Sequence, residues 1–175
     1  MSKLLIVVDY QKDFVDGSLG FPEAVAMQPA LLQKIAAYRA AGDTVAFTFD
    51  THGTDYLSTQ EGRRLPVEHT LRGTPGWELY DHVADARQPD DPCFCKPAFG
   101  SAELFDYLRE HPFDQIELAG GVSSICVISN AILAKTAQPE TPVVVDAACV
   151  AGADPHLHAA ALDVMAGLQI TVLNR

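Results

Sequence analysis

The chain alternates short, uninterrupted apolar runs with longer segments of helical character. The strand-length runs cover residues 4–8, 45–49, 93–95, 116–119, 143–145 and 170–173. Because apolar residues follow one another in these runs without alternating with polar ones, the runs are typical of strands buried on both faces of a sheet. Most of these runs end at a single polar residue or at a glycine pair.

Segments between the apolar runs predict helices over 28–41, 101–110, 124–135 and 155–167. Gly42 follows the first segment, as is typical of a helix C-terminus. The last segment opens with Asp154 and Pro155, an N-cap followed by proline at the first helical position. Alternation of strands and helices predicts a three-layer α/β fold, in which a parallel sheet carries helices on both faces.

Residues 51–92 break this alternation. The segment is rich in Gly, Pro, Thr and His, and its only predicted helical stretch lies near 77–85. Compact domains rarely keep so long an irregular connection unless it serves a binding or catalytic site. We therefore interpret residues 1–175 as a single domain with a site-forming insertion at about 51–92.

Charge and composition exclude several classes of function. Lys and Arg number 12 against 23 Asp and Glu, which gives a net charge of −11. Such acidity disfavours binding to nucleic acid or to an anionic membrane surface. No apolar run reaches the ~18 residues of a membrane span, and the N-terminal run is too short for a signal peptide. We expect a cytoplasmic protein whose 4 cysteines are reduced thiols.

Polar residues follow the predicted strands where a ligand is expected. Asp9, Asp50 and Lys96 each end an apolar run, and Cys126 opens the helix after the Gly120-Gly121 pair. Each alone is typical of a turn, a cap or a small buried residue. Ligands bind beyond the carboxyl ends of parallel strands, so together these residues predict one crevice.

The position of Cys126 predicts nucleophilic chemistry. A thiol near a helix N-terminus meets free N–H groups and the positive end of the helix dipole, and we expect these and Lys96 to lower its pKa. Asp9 can take the thiol proton and later deliver it to a leaving group. The same N–H groups can hold an oxyanion. This combination suits acyl transfer.

A second group of residues predicts a metal site. Asp50 and His52 lie two residues apart after a strand and share a face, and His69 and Glu61 come from the segment 51–92. Two imidazoles and a carboxylate suit zinc, iron or manganese. The alternative is that these histidines are solvated loop residues. We assign that role, or a role at helix ends, to His82, His111, His156 and His158.

A function of another class, a thiol or metal protein for redox sensing or storage, is suggested by Cys93 and Cys95. Alternate strand residues share a face, and we expect both thiols to be buried in the core. Buried thiols do not suit redox sensing or storage, so this expectation favours an enzyme over a protein of that class.

The motifs resemble, nearly end to end, nicotinamidases and related amidases of the isochorismatase-like cysteine hydrolase superfamily. The resemblance implies a six-stranded parallel sheet of order 3-2-1-4-5-6. It rests on the segments 9–14, 17–19, 50–52, 65–69, 73–77, 96–99, 120–127 and 146–149, and on His158.

The resemblance also implies roles for individual residues. Cys126 corresponds to the nucleophile, Asp9 to the acid–base and Lys96 to their electrostatic partner. A cis peptide bond is implied at Gly121–Val122, with an oxyanion hole formed by the backbone N–H groups of Val122 and Cys126. Asp50, His52 and His69 correspond to ligands of one divalent ion, zinc or alternatively iron or manganese, with Glu61 as an additional carboxylate. Phe14 and Leu19 correspond to residues of the substrate pocket.

The implied reaction is hydrolysis of nicotinamide to nicotinate and ammonia through a thioester, in pyridine nucleotide salvage. Ser124 stands where the family usually has Asp, and another small amide, carbamoyl or ureido substrate is the alternative. The expected partners are this small substrate and, as in many family members, further copies of the chain in a homo-oligomer.

Overall fold

The computed structural model describes residues 2–175. It confirms the predicted α/β fold, with a six-stranded sheet in the order β3-β2-β1-β4-β5-β6. Every pair of neighbouring strands is parallel. The strands are β1 (Lys3–Val8), β2 (Thr44–Asp50), β3 (Cys93–Lys96), β4 (Gln115–Gly121), β5 (Val143–Ala151) and β6 (Thr171–Leu173).

Two of the predicted helices have the bounds that the sequence indicated, and two begin later. The α6 helix starts at Ala102 because Ser101 is its N-cap, whose side chain accepts a hydrogen bond from the Leu104 N–H. The α7 helix starts at Ile128 because residues 123–127 form a π-helical turn. The helices are α1 (Lys12–Val15), α2 (Pro22–Ala26), α3 (Gln28–Ala41), α4 (Gln60–Arg64), α5 (Asp81–Ala86), α6 (Ala102–Glu110), α7 (Ile128–Ala137) and α8 (Pro155–Gly167).

The central strand β1 explains why the apolar runs do not alternate. Leu4, Ile6 and Val8 pack into one core cluster, with residues of α6, α7 and α8. Leu5 and Val7 pack into a second cluster on the opposite face, with residues of α3. Both faces of the sheet are therefore buried, and all five side chains are fully inaccessible to solvent. No helix within residues 2–175 is long and apolar enough to cross a membrane.

The expectation that Cys93 and Cys95 are core residues is wrong for Cys93, and Cys95 only packs against the margin of a core cluster. Cys93 is exposed and Cys95 is half-buried. They lie on β3, which is an edge strand of the sheet. Both line a cavity of about 590 Å³ at this edge. An apolar run therefore identified the strand, but its place in the sheet decided the burial.

A buried polar network joins α3 to the sheet. The Lys34 ammonium pairs with Glu117 and lies 2.8 Å from Asp146 Oδ2. Tyr38 donates its hydroxyl proton to Glu117 at 2.7 Å, and Asn174 donates to Asp146 at 2.9 Å. Burial alone would raise the pKa of Asp146, but the hydrogen bonds from Lys34 and Asn174 outweigh it and hold the pKa below its usual value. The buried carboxylates of Glu117 and Asp146 therefore share the Lys34 ammonium as their counter-charge.

We expect Lys34→Met to lower the free energy of unfolding by about 3–5 kcal/mol at pH 7, because it leaves two buried carboxylates without a counter-charge. Urea denaturation measures the change. Because the folded-state pKa of Asp146 is depressed, this contribution is present above the unfolded-state pKa and is lost as the pH falls through the folded-state pKa.

The difference in the free energy of unfolding between Lys34→Met and the unaltered protein should therefore shrink in acid. Lys135→Met is the control, since Lys135 contacts only the exposed carbonyl of Pro139. An equal loss of stability in both variants would contradict the role of the network.

Candidate active site

The ends of three adjacent strands place a lysine between two carboxylates. Asp9 follows β1, Asp50 ends β2 and Lys96 ends β3. The Lys96 Nζ lies 2.6 Å from Asp9 Oδ2, 3.5 Å from Asp50 Oδ1 and 3.5 Å from Cys126 Sγ. All four residues are buried. The structure thus brings together the four residues that the sequence placed in one crevice.

A tight loop after β4 sets the position of Cys126. Gly120 has φ +111°, and a Cβ there would lie 2.2 Å from the Val8 carbonyl oxygen, so no other residue fits. The peptide bond between Gly121 and Val122 is cis, as the resemblance implied. Cys126 then lies within the π-helical turn at 123–127, which packs against the end of the sheet.

His158 differs from the role expected of it. Its Nδ1 lies 2.9 Å from the Oγ of Ser123, which is fully buried. His158 is therefore a partly buried contact between α8 and the cysteine loop, where the sequence suggested a solvated or helix-end histidine.

The expected lowering of the Cys126 pKa is also wrong. Burial raises the pKa of the Cys126 thiol well above its usual value, the Asp9 charge raises it further, and Lys96 only partly opposes them. Burial likewise raises the pKa of Asp9, against the effect of Lys96. Burial alone would lower the pKa of Lys96, but Asp9, Cys126 and Asp50 outweigh it, and Lys96 stays charged.

This electrostatic arrangement favours a neutral thiol in the resting site. The Lys96 ammonium lies 2.6 Å from Asp9 Oδ2, and the Asp9 carboxylate is also within hydrogen-bond reach of the Cys126 thiol. Asp9 is thus the carboxylate nearest to the thiol proton. The resting sulfur is therefore a thiol and not the thiolate that the position of Cys126 at a helix N-terminus suggested.

Three predicted metal ligands form one cluster. The ligand atoms of Asp50, His52 and His69 all lie within 4.8 Å of one another, and the residues are buried. Asp50 Oδ2 is 3.0 Å from His52 Nε2 and 3.5 Å from His69 Nε2. The His69 Nδ1 lies 2.8 Å from the Val67 carbonyl, which makes Nδ1 the protonated nitrogen and leaves the Nε2 lone pair facing Asp50.

The cluster fits a divalent metal ion. His52 Nε2 is buried and has no hydrogen-bond partner among the described residues, so a polar atom is left for a ligand to satisfy. Glu61, on α4, places Oε1 3.8 Å from His52 Nε2 and 3.7 Å from His69 Nε2. Two imidazoles with one or two carboxylates form a donor set that suits zinc, iron or manganese.

A cavity of about 210 Å³ opens onto both groups of residues. Phe14 packs edge-on against the His69 ring, with 5.5 Å between ring centroids. The cavity lining includes the predicted residues Phe14, Leu19, Asp50, Glu61, His69, Val122 and Cys126. It also includes Phe21, Leu65, Phe99, Ile125 and Ala153, which the sequence did not single out because apolar pocket residues resemble apolar core residues.

Supporting residues around Asp50 were also missed. The buried Gln11 side chain donates to the Asp50 carbonyl at 3.0 Å and accepts from the Asp50 N–H at 2.8 Å. It also donates to the Trp77 carbonyl at 2.7 Å. Thr70 donates its hydroxyl proton to Asp50 Oδ2 at 2.7 Å, and its own N–H donates to Asp13. Gln11 and Asp13 lie in the motif at residues 9–14, so that motif was the sequence feature from which their supporting roles could have been predicted.

Comparison with known proteins agrees with this geometry. The sequence profile of the Isochorismatase domain matches residues 3–175. The chain belongs to the isochorismatase family. A Bacillus subtilis (strain 168) relative, described as an uncharacterized isochorismatase family protein PncA, is 32% identical over 143 residues, which cover 75% of this chain and 78% of the relative.

Solved structures of family members share the whole fold. The nicotinamidase/pyrazinamidase PncA of Bacillus subtilis has a TM-score of 0.88 at 26% identity, covering 99% of this chain and 100% of that one. The pyrazinamidase of Pyrococcus horikoshii, solved in complex with zinc, has a TM-score of 0.85 at 26% identity, with both chains covered fully. The N-carbamoylsarcosine amidase of Thermoplasma acidophilum has a TM-score of 0.80 at 26% identity, covering 99% and 96% of the two chains.

We expect His69→Ala to weaken zinc binding by more than about 100-fold, because losing a direct ligand should exceed the loss of an outer-shell partner. Isothermal titration of the metal-stripped protein with zinc measures the affinity. His82→Ala is the matched control, since His82 is exposed and contacts only Asp81 and Asp85. Equal zinc affinity in the two variants would contradict the assignment of His69.

Proposed function

We propose that the protein is a cysteine-dependent, metal-assisted amidase that hydrolyses nicotinamide to nicotinate and ammonia. One observation carries the proposal: Cys126, Asp50 and His69 line one small cavity, and Asp9 and Lys96 adjoin the sulfur. The family members with a nicotinamidase or pyrazinamidase name support the choice of reaction. Hydrolysis of a carbon–nitrogen bond in a small carboxamide is the chemistry that these groups can perform together.

The cavity suits one aromatic ring with a short polar substituent. Its volume of about 210 Å³ is small, and Phe14, Leu19 and Phe21 supply apolar walls. We assign the metal site to Asp50, His52 and His69, with Glu61 as a further carboxylate and zinc as the ion, iron or manganese being the alternatives. When bound, the ion supplies a Lewis-acid position that can take the pyridine nitrogen and so orient the ring.

In the first half of the reaction, the Cys126 sulfur attacks the carboxamide carbon while its proton passes to Asp9. The transfer is needed because the thiol is neutral at rest. The carbonyl oxygen becomes an oxyanion, and we assign the backbone N–H groups of Val122 and Cys126 to hold it. The Lys96 charge compensates the ionised Asp9 before the transfer and the developing negative charge during it.

In the second half, Asp9 delivers its proton to the amide nitrogen, and the carbon–nitrogen bond breaks to release ammonia. The acyl group is left on Cys126 as a thioester. Asp9 then takes a proton from water, which attacks the thioester carbon. As the carbon–sulfur bond breaks, Asp9 returns that proton to the sulfur, and the acid that forms loses its own proton to water and departs as nicotinate. The same carboxylate thus acts as base, acid, base and acid in turn, which its contacts with both Lys96 and the sulfur allow.

A second substrate class follows from the cavity mouth. Leu65, Phe99 and Ile125 line the cavity and are partly exposed, so the opening admits substituents that an enclosed pocket would refuse. The resemblance to an N-carbamoylsarcosine amidase fits this reading. A panel of nicotinamide, pyrazinamide, aliphatic amides and carbamoyl compounds, compared by kcat/KM, ranks the candidates.

The purified, zinc-loaded protein should release ammonia from nicotinamide, and Cys126→Ala should lower kcat by at least about 1,000-fold because the nucleophile is lost. A coupled ammonia assay measures both. Cys93→Ser is the matched control and should keep full activity, since Cys93 lies outside this cavity. Absence of ammonia release by the zinc-loaded protein would reject nicotinamide as the substrate.

Thr48→Val should move the acid limb of the pH–rate profile to higher pH. The Thr48 hydroxyl donates to Asp9 Oδ1 at 2.6 Å, and this hydrogen bond lowers the pKa of Asp9 against the effect of burial. Removing the bond leaves the carboxylate less stable, so Asp9 protonates, and loses its function as base, at a higher pH. The kcat/KM profile measures the shift, and Thr48→Ser should keep the original limb. An unchanged limb in Thr48→Val would show that Asp9 does not control it.

A further inference from the structure

A second cavity lies at the edge of the sheet, apart from the candidate active site. It measures about 590 Å³ and shares no lining residue with the active-site cavity. Cys93 and Cys95 of β3 line it, together with Arg87, Phe49 and Trp77. The proposed amidase reaction uses neither thiol.

The two thiols occupy one face of the strand. They are two residues apart on β3, so their side chains point to the same side of the sheet. Cys93 is exposed and Cys95 is half-buried beside it. The Arg87 Nε–H donates to the Cys93 sulfur at 3.3 Å. Solvent access and a neighbouring second thiol are the features that let a cysteine pass from a sulfenic acid to a disulfide.

The remaining thiols differ in these respects. Cys149 is buried, and burial raises its pKa to about 11, which keeps it a neutral thiol. Cys126 is buried and belongs to the active-site cavity. Cys93 is therefore the one exposed cysteine in the described chain, and Cys95 is the cysteine placed to react with it.

We propose that Cys93 and Cys95 form a reversible dithiol–disulfide site that is oxidised by hydrogen peroxide. The Cys93 sulfur attacks a peroxide oxygen, the O–O bond breaks, and Cys93 becomes a sulfenic acid with release of one water. The Cys95 sulfur then attacks the Cys93 sulfur, and the S–O bond breaks. The hydroxyl leaves with the Cys95 proton as a second water. Two electrons pass from the dithiol to the peroxide, and a small dithiol reverses the reaction.

The strand geometry makes this bridge easy to reduce and connects it to Lys96. Cα atoms two residues apart on a strand are about 6.6 Å apart. Because the two side chains are parallel, their Cβ atoms are separated by a similar distance, whereas the Cβ atoms of a disulfide are about 3.5–4.5 Å apart. Bridging must therefore contract the strand by about 2 Å or more, and the strain makes the bond easier to reduce. Cys95 immediately precedes Lys96, which pairs in register with Asp50 on β2. Oxidation therefore displaces Lys96 from Cys126 and Asp9, a consequence for activity that rests on the proposed function.

The first experiment tests the bridge without using activity. Cys126→Ala protein is treated with hydrogen peroxide and analysed by intact mass and peptide mapping. We expect a mass lower by two hydrogen atoms, a Cys93–Cys95 link, and reversal by dithiothreitol. With Cys95→Ser added, Cys93 should gain oxygen instead, and with Cys149→Ser added the link should still form. Stable oxygen addition to Cys93 in the parent, a link between two molecules, or no reaction would overturn the proposal.

The second experiment tests the connection to Lys96 in the otherwise unaltered protein. After peroxide treatment and desalting, we measure the rate of nicotinamide hydrolysis and the rate at which iodoacetamide alkylates Cys126. Both rates are divided by the fraction of protein whose Cys126 is still unmodified. We expect hydrolysis to fall by about tenfold or more, as for a misplaced catalytic group, and the alkylation rate to change with it. Dithiothreitol should restore both rates, and Cys93→Ser should show neither change.

The two readouts separate the possible failures. A disulfide that leaves both rates unchanged would overturn the connection to Lys96. If the reduced protein hydrolyses no nicotinamide, the proposed function fails, and the alkylation rate alone still decides whether oxidation reaches the active site.

Discussion

The buried charge of Lys96 is the constraint on which the candidate site depends. An ammonium group with almost no solvent contact is stable only where carboxylates surround it, and Lys96 lies against Asp9 and Asp50. Asp50 is in turn held at the end of β2, which pairs with β3, and Asp9 follows β1, the next strand in the sheet. The parallel sheet thus supplies three adjacent strand ends, and their charges compensate one another only in this arrangement.

Asp50 links the two halves of the site. One of its oxygens faces Lys96, and the other faces His52, His69 and the Thr70 hydroxyl. The Lys96 cluster therefore shares a carboxylate with the candidate metal cluster. Gln11 fixes the backbone of Asp50 from a third direction. The shared residue lies at the end of a buried strand, which holds the two clusters in a fixed relation to each other.

Sequence periodicity was sufficient for the strands, for α3 and α8, and for the residues at the strand ends, whereas the order of the strands in the sheet came from the family resemblance. It was insufficient where a property depends on neighbours distant in the chain. The Cys126 pKa follows from burial among Asp9, Lys96 and Asp50, which helix position alone does not reveal. Cys93 is exposed because β3 is an edge strand. The His158 contact with Ser123 joins residues from two elements, and no local motif encodes it.

The proposed reaction requires an acyl group on the Cys126 sulfur. To detect it, the zinc-loaded protein is quenched in acid during turnover of nicotinamide and the Cys126 peptide is analysed by mass spectrometry, with hydroxylamine added in a parallel reaction to trap the thioester. We expect a nicotinoyl group on Cys126 and formation of the hydroxamate. Steady release of ammonia with Cys126 unmodified and no hydroxamate formed would rule out the acyl intermediate.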